Sequence, residues 1–319
     1  MLHFYAYRQL YNYLDVYSRD ALARTCTTYM KFSYELKHVF IDEFDDDETI
    51  LNYDCVYEIV VNLCRQKISI ESVKKMKNLV KLSVVASSVD QIVDFVPVCV
   101  QNLSIKCGHG DMKILLQFMY SQLHYLDTLS VFTMRCQQIK NFNLPLSIKK
   151  LYLNTPLLID DLNLSRLCYL TTVSFKGLRW GNISLPSTVK DLTVHDCALR
   201  DTNFTEKLSS LQKFIVEQNY CEINDVLLPN SIVHLKLEKC CITDFSFLTN
   251  LTNLRVLNVS NNPRSNLHCV QLPQTIRVLV CDYCRLRNFE FLDKLKNLKE
   301  HYKNRAYINN RPMNPMFRI

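Results

Sequence analysis

Apolar and polar positions follow one recurring phrase from residue 79 almost to the C-terminal end. Its clearest copies are Ile232-x-x-Leu235-x-Leu237-x-x-Cys240 and Leu254-x-x-Leu257-x-Val259-x-x-Asn262, 22 residues apart. Residues two apart on a strand point to the same side, so each phrase predicts a short strand with an apolar and a polar face. Phrases start at Leu79, Val100, Leu126, Ile148, Leu170, Val189, Leu211, Ile232, Leu254, Ile276 and Leu298, the last being degenerate. The gaps are 21, 26, 22, 22, 19, 22, 21, 22, 22 and 22 residues. Such a period predicts a solenoid whose successive strands pair in parallel and stack their inward side chains into columns. After strand and turn, about ten residues remain before the next phrase, which suits a 3₁₀ turn or an extended segment better than a full helix. Ile242, Phe245 and Leu248 should point inward from one such segment.

The phrases come in pairs. Those at Ile148, Val189, Ile232 and Ile276 follow LPLS, LPST, LPNS and LPQT, whereas those at Leu170, Leu211, Leu254 and Leu298 follow LCY, LSS, LTN and LKN. Proline before a strand lacks an N–H and favours extended structure in its predecessor. These phrases resemble leucine-rich repeats. The LP form is similar to repeats of bacterial effector and FNIP-type proteins, and the L-x-N-L form to the 22-residue internalin-like class. The resemblance implies an α/β fold: a leucine-rich-repeat horseshoe of about eleven repeats, with a parallel concave β-sheet, short convex segments and an N-terminal helical cap or F-box-like region.

Three residues beyond the strand, successive repeats carry Cys197, Asn219, Cys240, Asn262 and Cys284. In leucine-rich repeats this turn site usually holds an Asn whose amide bonds backbone groups, and Cys substitutes as a small, weak donor. Taken alone, Cys281-x-x-Cys284 with Cys240-Cys241 suggests zinc. The repeat accounts for the spacing instead: Cys281 falls at an inward strand position and Cys284 at the turn. No metal and no cofactor are expected.

Ahead of the repeats, Phe4, Tyr7, Leu10, Tyr11, Tyr13 and Leu14 recur at helical spacing, and residues 1–40 read as helical. Leu10-x-x-Tyr13-Leu14-Asp15 followed by Leu22 and Cys26 resembles an F-box, although the leading proline is missing and Tyr29 stands where a Trp is usual. That resemblance would make Leu10, Tyr13, Leu14, Leu22 and Cys26 contacts for a Skp adaptor. The other reading is a helical cap over the solenoid's open end. Residues 42–48, DEFDDDE, read as a solvated acidic loop. Ile50, Tyr53, Val56, Tyr57, Val60, Val61 and Cys64 read as a further amphipathic helix. The expected domains are therefore residues 1–66, a helical region; 67–303, the repeats; and 304–319, a tail.

Composition narrows the function. The chain has 319 residues, 48% of them hydrophobic, enough for a large core. Its net charge of +7 is spread along the sequence, with no basic block, and four glycines leave no Gly-rich phosphate loop. No apolar run approaches the ~20 residues that span a bilayer, and the first twenty residues do not read as a signal peptide. A cytoplasmic protein is expected, with the nucleus as an alternative, and its 14 cysteines should then be mostly thiols. Low Gly with frequent Tyr, Asn, Lys and Cys resembles proteins of AT-rich genomes, including large DNA viruses of insects and social amoebae. None of the eight histidines lies in a nucleophile or metal motif, and no catalytic residues are expected.

Function should therefore lie on the outward faces of the strands. One outward column reads Ser83, Ser104, Ser130, Tyr152, Ser174, Thr193, Ile215, Lys236, Asn258 and Val280. The next reads Val85, Lys106, Phe132, Asn154, Lys176, His195, Glu217, Glu238, Ser260 and Asp282, basic early and acidic late. Phe132 and Tyr152 are aromatics on neighbouring repeats and candidates for an anchor. Lys106, Phe132, Tyr152, Lys176, His195, Glu217, Lys236, Glu238, Asn258 and Asp282 form the expected binding set, with Ser260 beside them. Glu217 and Glu238 would repel phosphates, which argues against nucleic acid. The expected function is a monomeric, non-enzymatic protein-interaction module with no membrane partner. It would be a substrate-recognition subunit of a cullin-RING ubiquitin ligase if the F-box resemblance holds, and a scaffold or inhibitor otherwise.

Overall fold

A computed structural model of the chain describes residues 38–41, 58–64, 73, 76–134, 137–139, 142–219, 223, 226–286, 288–302, 307–308 and 311–312. It divides into two compact units, residues 1–135 with 143–148, and residues 136–142 with 149–319. The F-box-like residues Leu10, Tyr13, Leu14, Leu22 and Cys26 lie outside the described residues.

In the first unit, five strands pair in parallel in chain order: β1 (His38–Ile41), β2 (Glu58–Asn62), β3 (Lys81–Ser88), β4 (Asn102–His109) and β5 (Thr128–Thr133). Two helical expectations fail here. Residues 38–40 and 58–62 are strand, not helix. Glu58-Ile59-Val60-Val61-Asn62 contains three consecutive β-branched residues, whose stiff side chains favour a pleated surface. Ile59 and Val61 are fully buried and alternate with half-buried neighbours, a period of two that the short apolar run had masked. The coil from Val100 to Leu126 also departs from the short-segment pattern. At 26 residues it is the longest, and it houses an 11-residue helix, α2 (Met112–Gln122), whereas the coil before it holds only the single turn α1 (Asp90–Val93). The Asp111 carboxylate accepts the Lys113 N–H at 2.8 Å and caps the helix, while Met112, Leu115, Leu116 and Met119 bury one face.

The second unit carries two parallel sheets. Its main ladder runs β7 (Lys150–Asn154), β9 (Thr172–Lys176), β11 (Asp191–His195), β12 (Lys213–Glu217), β13 (His234–Glu238), β14 (Val256–Asn258), β15 (Val278–Val280) and β16 (Glu300–Tyr302). Three other segments form a second sheet in the order β10 (Arg179–Ser184), β8 (Leu157–Asn163), β6 (Gln137–Ile139). Elsewhere the return segments carry 3₁₀ turns, such as Ser246–Asn250. Ile242, Phe245 and Leu248 are buried there, as their spacing indicated.

All ten phrase-starting residues from Leu79 to Ile276 have zero exposure. Each closes a tight turn by donating its N–H to the carbonyl three residues back. The acceptor is proline in the LP repeats, as in Ile232 to Pro229 at 3.3 Å, and leucine in their partners, as in Leu254 to Leu251 at 3.0 Å. The polar residues of the alternating repeats stitch adjacent coils together at this turn. Ser147, Thr188 and Ser231 of the LP repeats donate to the carbonyls of Leu126, Leu170 and Leu211 at 2.7–2.8 Å. Asn253 and Asn297 of the partner repeats donate to the carbonyls of Asn230 and Gln274 at 2.9 and 2.8 Å. These five coil-boundary carbonyls each receive a side-chain donor from the following coil.

A second column binds the coils at the other end of the strands. Asn262 donates to the carbonyls of Leu237 and Val259 at 2.8 and 2.7 Å and accepts the N–H groups of Cys240 and Ile242 at 3.3 and 3.1 Å. Asn219 likewise both donates to and accepts from the Leu199 backbone. The cysteines at equivalent sites only donate: Cys197 to Phe175, Cys240 to Val216 and Cys284 to Val259, at 3.7, 3.6 and 3.1 Å. Burial pushes the Cys197 and Cys284 thiols up to about 11 and about 12, and Cys240 in the same direction, so all three stay protonated donors. Cys281, inward on the coil of β15, is buried as its position in the phrase required.

Candidate functional site

Strand register fixes which outward side chains are neighbours. In the first unit Ser83 pairs with Ser104 and Ser104 with Ser130, while Val85 pairs with Lys106 and Lys106 with Phe132. In the second, Tyr152, Ser174, Thr193, Ile215, Lys236, Asn258 and Val280 align strand by strand. Beside them Asn154, Lys176, His195, Glu217 and Glu238 do the same. Both columns are those that the phrase spacing places outward.

Lys106 and Phe132 meet in the first unit. The ammonium lies 5.4 Å from the ring centroid, within the range of a cation–π contact. Lys106 is exposed and Phe132 half-buried, with Met134, just past the end of the strand, exposed. Tyr152 belongs to the second unit, where it is exposed.

The second unit holds a charge cluster. Lys236 Nζ lies 2.6 Å from Glu217 Oε1 and 2.9 Å from Glu238 Oε2. Glu217 and Glu238 face each other in register, an arrangement of like charges that costs stability unless a cation intervenes. Burial works against the Lys236 charge, but the hydrogen bonds to the two glutamates together with their negative charges outweigh it and hold the ammonium above the usual lysine value. Glu238 is further fixed by the Asn261 side-chain amide at 3.3 Å. His234, on the same strand, is held below its ordinary value, first by burial and then by the charges of Lys213 and Lys236. His195 stands between Lys176 and Glu217 in register, with its Nδ1 enclosed.

Ser260 departs from expectation. It is buried, and its hydroxyl accepts the Asp282 N–H at 3.2 Å instead of facing a partner. The strand has ended at Asn258, whose carboxamide oxygen accepts the Ser260 N–H at 3.0 Å and turns the chain inward. Two residues that the sequence reading passed over, Val256 and Val278, pair in register at the strand starts and stand half-buried on the outward side. Their signal lay in a third outward column, two positions after each phrase start. That column reads Lys213, His234, Val256, Val278 across β12 to β15, and it turns apolar only there.

No protein-family model and no curated protein matches the sequence. Solved structures similar to it include the following three. One is the plant peptide hormone receptor RGFR1 in complex with RGF2, with TM-score 0.43 and 12% identity over 79% of this chain and 51% of that one. Another is an internalin, InlF, from Listeria monocytogenes, with TM-score 0.40 and 16% identity over 79% of this chain and 81% of that one. The third is the mouse RP105/MD-1 complex, with TM-score 0.47 and 12% identity over 84% of this chain and 46% of that one. All three are leucine-rich-repeat proteins. The chain spans about half the length of the first and third. The leucine-rich-repeat solenoid of this chain stands on its own geometry: parallel strands at a 22-residue period, fully buried phrase starts and an Asn/Cys turn column.

Proposed function

We propose that the chain is a non-enzymatic protein-interaction module that binds partners on the outward strand faces of its two units. The observation that carries this reading is the register of the outward columns. It presents rigidly spaced charged and aromatic side chains, including Lys106 against Phe132 and Lys236 between Glu217 and Glu238, on strands whose other face is fully buried. Side chains held on paired strands lose little freedom when a partner docks, which favours recognition.

The finer reading is a substrate-recognition subunit of a cullin-RING (SCF-type) ubiquitin ligase working in the cytoplasm. The F-box-like residues Leu10, Tyr13, Leu14, Leu22 and Cys26 would engage a Skp adaptor, leaving the repeats for substrate. The use of Cys197, Cys240 and Cys284 as protonated donors in the turn column supports a compartment that keeps thiols reduced. Co-expression with the adaptor tests this reading. The full chain should co-purify with it, a Leu14→Asp variant should not, and a Phe132→Ala variant should keep the adaptor while losing substrate. If the folded wild type does not bind the adaptor, the ubiquitin reading falls, and a scaffold or inhibitor acting through the same faces takes its place.

A further inference from the structure

Strands β12 to β15 present two kinds of surface side by side. Val256, Val278 and Val280 form a half-buried aliphatic patch facing outward on β14 and β15. Glu217 and Glu238 stand on β12 and β13, with Asp282 just past β15. Lys236 stands between Glu217 and Glu238 and is already engaged by both, at 2.6 and 2.9 Å. Lys213, the other cation on these strands, lies four positions before Glu217, roughly 13 Å along the strand.

We propose that this part of the face receives an extended protein segment carrying an aliphatic side chain four residues from a lysine or arginine, and that Lys236 is a resident cation holding the carboxylate pair until the segment's own cation joins it. The inference rests on the interaction reading above and specifies the partner's chemistry. Val280 and Glu238 are two strands and one pleat apart, about 12 Å, close to the roughly 13 Å between residues four apart on an extended segment, whose side chains share one face. An acidic segment would meet net negative charge and would have to break the Lys236 ion pairs to find a partner. A basic segment adds a second cation to two carboxylates that share one.

Fluorescence anisotropy on the full chain tests this. The probes are labelled dodecapeptides identical except at one pair, Leu-x-x-x-Arg, Leu-x-x-x-Glu or Ser-x-x-x-Arg. The Leu/Arg peptide should bind about tenfold or more tightly than either control, and added salt should weaken it. Glu217→Gln and Glu238→Gln should each weaken it severalfold. Lys236→Met should tighten it severalfold, because the resident competitor is gone. Lys236→Gln serves if the Met variant fails to fold, with circular dichroism melts reporting folding throughout. Equal or tighter binding of the Leu/Glu peptide, weaker binding by a folded Lys236 variant, or no measurable binding of any peptide overturns the proposal. A partner lost on Phe132→Ala but indifferent to both glutamate variants also overturns it, while leaving the interaction reading intact.

Discussion

The backbone N–H of Cys240 donates to the side-chain oxygen of Asn262 at 3.3 Å, joining two members of the turn column directly across one repeat. The same amide also serves Ile242 N–H and the carbonyls of Leu237, Val259 and Ser260, so one buried side chain satisfies five backbone groups on two coils. Asn262→Ala leaves all five without this partner and should cost about 3 kcal/mol or more, since an unmet buried polar group costs roughly 1–3 kcal/mol. Asn262→Cys should cost less, because a thiol can still donate to the preceding coil as Cys284 does to Val259. Urea unfolding with the order wild type, Asn262→Cys, Asn262→Ala checks this. Equal loss in both variants would show that the acceptor half of the amide carries the whole effect.

A second prediction concerns Lys236 and His234. The raised lysine value means that its contribution to stability is fully present below about 10.5, the unfolded value, and is lost as pH rises through the higher folded value. The stability difference between wild type and Lys236→Met should therefore be flat near neutrality and shrink only in strong alkali. His234 has the opposite sign. Its folded value lies below 6.5, so stability is present above 6.5 and lost as pH falls beneath it. Removing the Lys236 charge should raise the His234 midpoint, though not fully to 6.5, because burial is the larger cause. An NMR titration of the His234 ring in both proteins reads this directly, and an unchanged midpoint would remove the proposed coupling.

Much of this architecture was legible because the phrase ties inward and outward positions to a fixed count. The columns of Tyr152 to Val280 and of Asn154 to Glu238 could be written down from spacing alone, and register bears them out. Count failed where the strand stopped short. Ser260 has the number of an outward residue, but β14 ends at Asn258 and the turn draws it inward. Periodicity failed at Ile59-Val60-Val61, since a run of apolar residues fits a helical face and a strand equally well. The Lys236 ion pairs were not legible either. Sequence places a lysine one strand from Glu217 and two positions from Glu238, but only side-chain geometry shows both carboxylates reaching the same ammonium.

Thiol chemistry gives a third prediction. Cys64, Cys168, Cys241 and Cys269 are exposed, whereas Cys197, Cys240 and Cys284 are buried with raised thiol values. Alkylation near neutral pH, read by mass spectrometry of the native protein, should mark the first group and spare the second, because the thiolate is the reactive form. A thiol raised above 9.0 on folding stabilises fully below pH 9 and progressively less as pH rises towards 11 or 12. Urea midpoints should thus fall between pH 9 and 11, and a Cys284→Ala variant should show a smaller fall.

The last prediction follows from the backbone beside the same column. With only four glycines in the chain, the left-handed turn positions fall to Asp196, Gln218, Lys239, Asn261 and Tyr283, whose φ angles are 50 to 62°. Each directly precedes a column residue, so the turn that delivers Cys197, Asn219, Cys240, Asn262 or Cys284 inward requires the conformation. A left-handed residue with a Cβ costs roughly 1–2 kcal/mol, and glycine removes that strain while adding roughly 0.5–1 kcal/mol of unfolded-chain entropy. Lys239→Gly and Tyr283→Gly should therefore be neutral to stabilising, by up to about 1 kcal/mol. Lys239→Val should destabilise by more than that, because β-branching opposes positive φ most strongly. Thermal melts of the three variants would decide it, and a Val variant as stable as the Gly variant would mean that the turn does not hold the left-handed geometry.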